Sequence, residues 1–402
     1  MRPSAFALFC CALTFATAAS AQEPSEAARR LAQDAIIVDT HIDAPGILMD
    51  KWADLGVEAP DREFDYPRAR AGGLDVAFMS IYTSAKRDDD GTAWQAAHMQ
   101  IDAVEALAAR HPDKFAILRS PGDVDALREG GRVLLALGME NGAPIGDDLG
   151  ELQRFFDRGV RYITLAHSAN NRISDSSYTL QKRWNGLSPF GREVVAEMNR
   201  LGIMVDVSHL SDDAVRQTVE RSTVPVIASH SALRHFTPGF ERNLSDELAQ
   251  AIAAKGGVIQ IPFGTAFVNP EAAQNTQDYF RAVYDFDRRK AELEAAGQPA
   301  QDRQAFEAQW DADHPMPSTT IDAVLDQVDH AVALVGVDHV GIGSDYDGVG
   351  GNLPDTLRTV ADYPNLVAGL QARGHSDADI RKILGGNLLR VWTEIEAGAG
   401  PR

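Results

Sequence analysis

The feature that most constrains this chain is a pattern repeated eight times. A short run rich in apolar and β-branched residues ends, in all but the seventh case, on a polar residue or tyrosine, and an amphipathic stretch follows. The runs cover residues 36–43, 74–82, 133–140, 162–167, 203–209, 224–230, 258–263 and 340–345. Near-continuous apolar runs suit strands covered on both faces, as in a parallel sheet. Residues 93–110, 149–158, 191–201, 212–221, 246–254 and 321–334 read as helices. Ser211 and Ser245 stand before acidic first turns, an N-cap pattern that suits the helix dipole. Eight alternating units predict an α/β fold of the (β/α)8 TIM-barrel type. A doubly wound open sheet is the competing arrangement. Residues 264–317 are long, polar and partly helical (278–296 and 301–310). They read as an insertion after strand seven, on the face where barrel active sites sit. Residues 361–373 and 377–396 read as closing helices. No interior linker appears, so 22–402 reads as a single barrel domain.

The N-terminus reads as a secretory signal. Arg2 precedes an apolar stretch over 5–18, and Ala19-Ser20-Ala21 fits the small-x-small cleavage pattern. The expectation is a signal peptide over 1–21 and a secreted or periplasmic mature chain. The stretch is too short for a comfortable membrane span. Both cysteines, Cys10 and Cys11, fall within it. The mature chain then has no disulfide, and any metal site must use His, Asp and Glu. Residues 396–402 carry no apolar tail, so no glycolipid or other stable membrane anchor is expected. The net charge of −20 repels phosphate backbones and anionic lipid. No nucleic-acid partner is expected.

The polar residues that end the runs carry the chemistry. His41, Asp43, Glu140, His167, His209, His230 and Asp345 all stand at or beside predicted strand ends, which a barrel gathers on one face. Collecting so many ionisable groups costs desolvation unless a metal or substrate binds there. His41 and Asp43 have H-x-D spacing, which places both side chains on one side of a strand. His209 and His230 end consecutive strands, and Glu140 lies between the two pairs, able to bridge. Imidazole and carboxylate without thiolate suit Zn²⁺, with other divalent transition metals allowed. Two ions leave the inner shell net positive, whereas one leaves it net negative and a poor electrophile. A binuclear site brings the pKa of a bridging water towards about 7 and supplies hydroxide for attack. Asp345 is placed to carry the proton to a leaving amine; a rim cap or a third ligand is its other reading. His167 reads as a carbonyl or oxyanion partner, or as a structural histidine behind the ligands. Arg242, in a loop before a helix, could clamp a substrate carboxylate or simply be solvated.

Eight segments give the chain a family likeness: VDTHIDAP (38–45), GMENG (138–142), TLAHSANN (164–171), DVSHLSD (206–212), PVIASHSALR (225–234), ERNLSDE (241–247), HVGIGSDYDGV (339–349) and GNLLRVW (386–392). In order and spacing they resemble the membrane (renal) dipeptidase family, zinc peptidases of the amidohydrolase type, over 38–396. The resemblance implies that His41 and Asp43 bind one zinc, His209 and His230 the other, and that Glu140 bridges them. It also implies substrate contact by His167, carboxylate binding by Arg242 and acid/base work by Asp345. Asp347 receives no catalytic role. Family members hydrolyse dipeptides, often with a C-terminal D-residue, and some open β-lactam rings. Asn141 departs from the glycine that commonly follows the bridging Glu. The paired cysteines and anchor signal of the animal enzymes are absent, and the 264–317 insertion has no clear counterpart. These departures bear on substrate preference and on oligomer contacts, where a homodimer is allowed. Two rivals remain: another metal-dependent amide or lactone hydrolase, and an exported binding protein with a vestigial site. The second is disfavoured by Asp345, since binding alone needs no proton carrier.

Overall fold

In the computed structural model residues 23–401 are described; the expected leader over 1–21 lies outside them. Eight parallel strands pair in chain order: β1 (Ile37–Ile42), β2 (Leu74–Tyr82), β3 (Val133–Glu140), β4 (Val160–Thr164), β5 (Met204–Asp206), β6 (Ile227–Ala228), β7 (Val258–Ile261) and β8 (Val340–Ile342). The ring closes between its first and last members. Ile42 bridges Tyr346 in parallel, Asp43 N–H donates to the Tyr346 carbonyl at 2.8 Å, and Asp345 N–H donates to the His41 carbonyl at 3.0 Å. The fold is therefore a (β/α)8 barrel and not an open sheet.

The strands end earlier than the apolar runs. The run 203–209 yields only Met204–Asp206, and 224–230 only Ile227–Ala228. The polar residues that end the runs sit mostly in the loops beyond the ladder. Two of them, His209 and Asp345, have φ of 68°, a left-handed conformation that stops a strand and is uncommon without glycine. Such strain collects at functional sites. A further short strand, Phe115–Ile117, pairs with β3 at Val133–Leu135, below the point where β4 begins to pair. Its apolar run is only residues 115–118, between Lys114 and Arg119, shorter than the runs that contain β5, β6 and β8, so sequence reading missed it.

The expected helices form. Ser211 accepts from Ala214 N–H and Ser245 from Leu248 N–H, which satisfies donors of each first turn. Between 264 and 317 lie helices Thr265–Val268, Pro270–Ala295 and Arg303–Asp313. The last two pack through Phe286 on Phe306 (4.7 Å between centroids) and Tyr279 on Trp310 (5.9 Å). Near the chain end come Tyr363–Ala372, Asp377–Arg381 and Asn387–Ala397. The last helix joins the buried cluster inside the barrel through Leu388, Val391, Trp392 and Ile395, with Trp392 against Phe78. This plug sits where strands begin, since Gly385 packs on the Ile36 carbonyl and Val38. The opposite end is left open. Among the described residues no helix is long and apolar enough to cross a membrane.

Candidate metal centre

Glu140 ends β3 and is buried at the centre of the polar cluster. Its two carboxylate oxygens face different partners. Oε2 lies 3.5 Å from His41 Nε2. Oε1 lies 3.0 Å from His209 Nε2, 3.3 Å from His230 Nε2 and 3.6 Å from His167 Nε2. Asp43 Oδ2 and Asp345 Oδ1 approach His41 Nε2 at 3.4 and 3.9 Å. His209 and His230 direct their Nε2 atoms at one another at 2.8 Å. The structure thus brings together all seven strand-end residues. Three sets of potential ligand atoms each fall within 4.8 Å: His41, Glu140 and His230; Glu140, His167 and His209; His41, Asp43 and Asp345.

The surrounding hydrogen bonds decide which imidazole nitrogen faces inward. Tyr162 OH donates to the Thr40 carbonyl at 3.0 Å and is 2.8 Å from His41 Nδ1. With the hydroxyl proton spent on Thr40, the tyrosine oxygen accepts from His41 Nδ1–H. That leaves His41 Nε2 facing inward, buried and without a hydrogen-bond partner. His230 is set the same way: Ser229 Oγ lies 2.8 Å from its Nδ1 and donates to Asp206 Oδ2 at 2.6 Å. Asp206 also takes the Ser208 and Ser229 backbone N–H groups and the Thr164 hydroxyl. An orphaned, inward-facing imidazole nitrogen beside carboxylates is what a divalent metal requires, and fixed outer partners of this kind orient such ligands.

The protonation states of Glu140, His230 and His209 agree, whereas His41 departs: burial would lower it, but Tyr162, Glu140 and Asp43 hold it well above the ordinary imidazole value, so a metal there would displace its Nε2 proton. Burial alone would raise the Glu140 carboxyl, but His167, His41, His209 and His230 around it hold it well below the usual range. Burial pushes His230 down to about 3, and burial with the nearby Arg242 charge takes His209 well below its ordinary value. Neutral imidazoles and an ionised carboxylate are the ligand forms. Asp345 goes the other way: burial, then the charges of Asp43 and Glu140, push it well above the carboxylate range. Gly348 lets the backbone pass close to this pair, since a Cβ there would lie 2.2 Å from Asp43 Oδ2 and 2.4 Å from Asp345 Oδ1.

Above the cluster opens a cavity of about 670 Å³, with Asp43, Glu140, His167, His209 and Asp345 on its lining. That volume suits a small-molecule ligand. Its apolar wall includes Ile47, Tyr82, Tyr178, Phe267 and Phe280. Phe280 comes from the helix Pro270–Ala295 and stacks on Tyr178 at 4.1 Å. Arg242 is not solvated. It is 2% exposed, donates to Ser231 Oγ (3.0 Å) and the His230 carbonyl (2.8 Å), lies 3.1 Å from His209 Nε2, and covers the Phe267 ring. No carboxylate pairs with it among the described residues.

Sequence reasoning missed Tyr162, Asp206 and Asp39. Asp39 accepts from His41 N–H, Ser344 N–H and Tyr363 OH, and so ties β1 to the loop after β8. For Asp39 and Asp206 the available signal was an Asp directly after three apolar residues of a buried run, which burial tolerates only with several donors around it.

The model of one family, membrane dipeptidase, matches residues 25–401. The chain belongs to the membrane dipeptidase family. Among curated relatives, an uncharacterized dipeptidase of Schizosaccharomyces pombe is 30% identical over 390 residues, covering 92% of this chain and 82% of its own length. Dipeptidase 3 of Mus musculus is 28% identical over 380 residues, covering 92% of this chain and 66% of its own. The crystal structure of the probable dipeptidase PvdM from Pseudomonas aeruginosa shares the fold at a TM-score of 0.79 and 27% identity, over 93% of this chain and 98% of that one. A metallo peptidase from Rhodobacter sphaeroides, solved with a phosphinate mimic of the dipeptide L-Ala-D-Ala, aligns at a TM-score of 0.73 and 23% identity, over 90% and 100%. As a membrane dipeptidase relative, the protein is a metal-dependent hydrolase of the dipeptidase class.

Proposed function

We propose that the barrel mouth holds two zinc ions and hydrolyses the peptide bond of free dipeptides, C-terminal D-residues included. The observation that carries this reading is the split environment of Glu140, one oxygen towards His41 and the other towards His209 and His230. His41 and Asp43 would hold one ion, His209 and His230 the other, with Glu140 shared. Bound there, zinc supplies Lewis acidity, which polarises a carbonyl and makes water nucleophilic near neutral pH. The remaining work falls to the chain itself. Asp345 takes the proton released by the attacking water and delivers it to the departing amine. His167, between Glu140 and the cavity, supports the carbonyl oxygen as it gains charge. The apolar wall keeps bulk water from the reacting bond.

Arg242 supplies the dipeptide selectivity. A desolvated guanidinium without a carboxylate partner favours an incoming anion, and the C-terminal carboxylate of a dipeptide is one. The apolar leader-like residues 5–18 support export to the periplasm or beyond. The test is Arg242→Ala assayed on free-acid and C-amidated dipeptides. A charged hydrogen bond contributes about 1.5–3 kcal/mol, so KM for free acids should rise roughly 10- to 100-fold, with little change for amides. Equal losses on both would remove Arg242 from substrate binding.

A further inference from the structure

A second cluster of metal-ligating side chains lies away from the mouth, and none of its members lines the cavity. His235 sits in the turn Arg234–Phe236 after β6, Asp246 begins the helix Asp246–Ala254, and His330 lies in the helix Ile321–Val335. Each offers one ligand atom, and these atoms fall within 4.8 Å of one another. The imidazoles of His235 and His330 stack at 4.1 Å with 22° between planes. His330 Nε2 is 3.1 Å from both oxygens of Asp246. Phe236 packs edge-on against His330. No Lys or Arg pairs with Asp246 among the described residues, so its carboxylate is directed at imidazole alone.

We propose that His235, Asp246 and His330 bind a divalent transition-metal ion, zinc or its neighbours cobalt, nickel and copper, independently of the barrel mouth. Two imidazoles and a carboxylate are a borderline donor set, and three protein ligands leave a position for water. The ligands come from three separate elements. Two of them flank the loop 237–245, which carries Arg242. The ends of that loop already meet, since Arg234 N–H donates to the Leu244 carbonyl and Leu244 N–H to the Ala232 carbonyl. A cation on His235, Asp246 and His330 would join this loop base to the helix Ile321–Val335.

The test uses the untagged full chain, dialysed against excess zinc and then examined by non-denaturing mass spectrometry. Wild type should carry one zinc per chain more than either His330→Ala or His235→Ala. His235 is exposed, so its variant tests the site even if His330→Ala fails to fold. Copper loading supplies a second readout: subtracting the spin-resonance spectrum of His235→Ala from that of wild type should leave a signal with two imidazole nitrogens, and a null difference spectrum would overturn the proposal. Equal metal content in wild type and His235→Ala would overturn the proposal. The comparison is a difference between proteins with the same barrel mouth, so its failure leaves the dipeptidase reading untouched.

Discussion

Tyr162→Phe removes one oxygen from the barrel interior and should weaken metal binding through His41, although neither residue lines the cavity. The ring reaches His41 because Gly138 faces it: a Cβ at Gly138 would lie 2.0 Å from Tyr162 Cζ. The hydroxyl is fully buried and makes two hydrogen bonds, to Thr40 and His41. Phe fits the same space but leaves both groups unpaired. Each stranded buried group costs about 1–3 kcal/mol. His41 then either keeps an unsatisfied Nδ1–H or moves its proton to Nε2, the lone pair a metal needs. Loss of such an outer partner lowers metal affinity by about 10- to 100-fold, or roughly 1.4–2.7 kcal/mol. Competition with a zinc chelator measures this directly, with thermal unfolding of the metal-free protein as the companion measurement. Unchanged zinc affinity alongside a lowered melting temperature would refute the reasoning and make Tyr162 a core residue only.

Two further outcomes follow from the geometry. Asp345→Asn should keep bound zinc while kcat falls about 10²- to 10⁴-fold, the usual contribution of a positioned acid–base group; loss of zinc in this variant would make Asp345 a ligand instead. Glu63 and Asp347 exchange backbone hydrogen bonds, Glu63 N–H to Asp347 Oδ1 at 2.8 Å and Asp347 N–H to Glu63 Oε2. Burial, with the Asp347 charge adding to it, raises Glu63 from 4.5 to about 7. The folded protein holds this proton more tightly than the unfolded chain, so the stabilisation is complete below pH 4.5 and is lost as pH rises through 7. Glu63→Gln should flatten that decline in denaturant titrations, and an unaltered pH profile would contradict it.

The parallel sheet was legible because strands buried on both faces leave apolar runs that cannot be mistaken for alternation, whereas the contact of Ile42 with Tyr346 is what closes it into a barrel. Strand ends were less so: His209 and Asp345 leave the ladder through left-handed backbone, which hydrophobicity does not encode. The convergence of His41, Glu140, His209 and His230 was legible because barrel topology places successive strand ends side by side. Tyr162 was not, since its role depends on β3 and β4 pairing Gly138 with Tyr162, a register that composition does not reveal. From its residue type and loop position alone, Arg242 reads more readily as a solvated arginine than as a substrate clamp. Only the packing of Phe267 and the His230 carbonyl around its guanidinium decides between them. The strand Phe115–Ile117 was missed because only four apolar residues, 115–118, surround it between Lys114 and Arg119.

On the proposed function, two zinc ions at the barrel mouth would carry the dipeptidase activity. The most direct test is to strip His235→Ala protein with chelator, which leaves the second cluster out of the count, and to titrate zinc while following hydrolysis of an L-Ala-D-Ala-type dipeptide. Activity should be absent without metal and should reach its plateau at two equivalents per chain. Full activity in the stripped protein, or a plateau at one equivalent, would contradict the account.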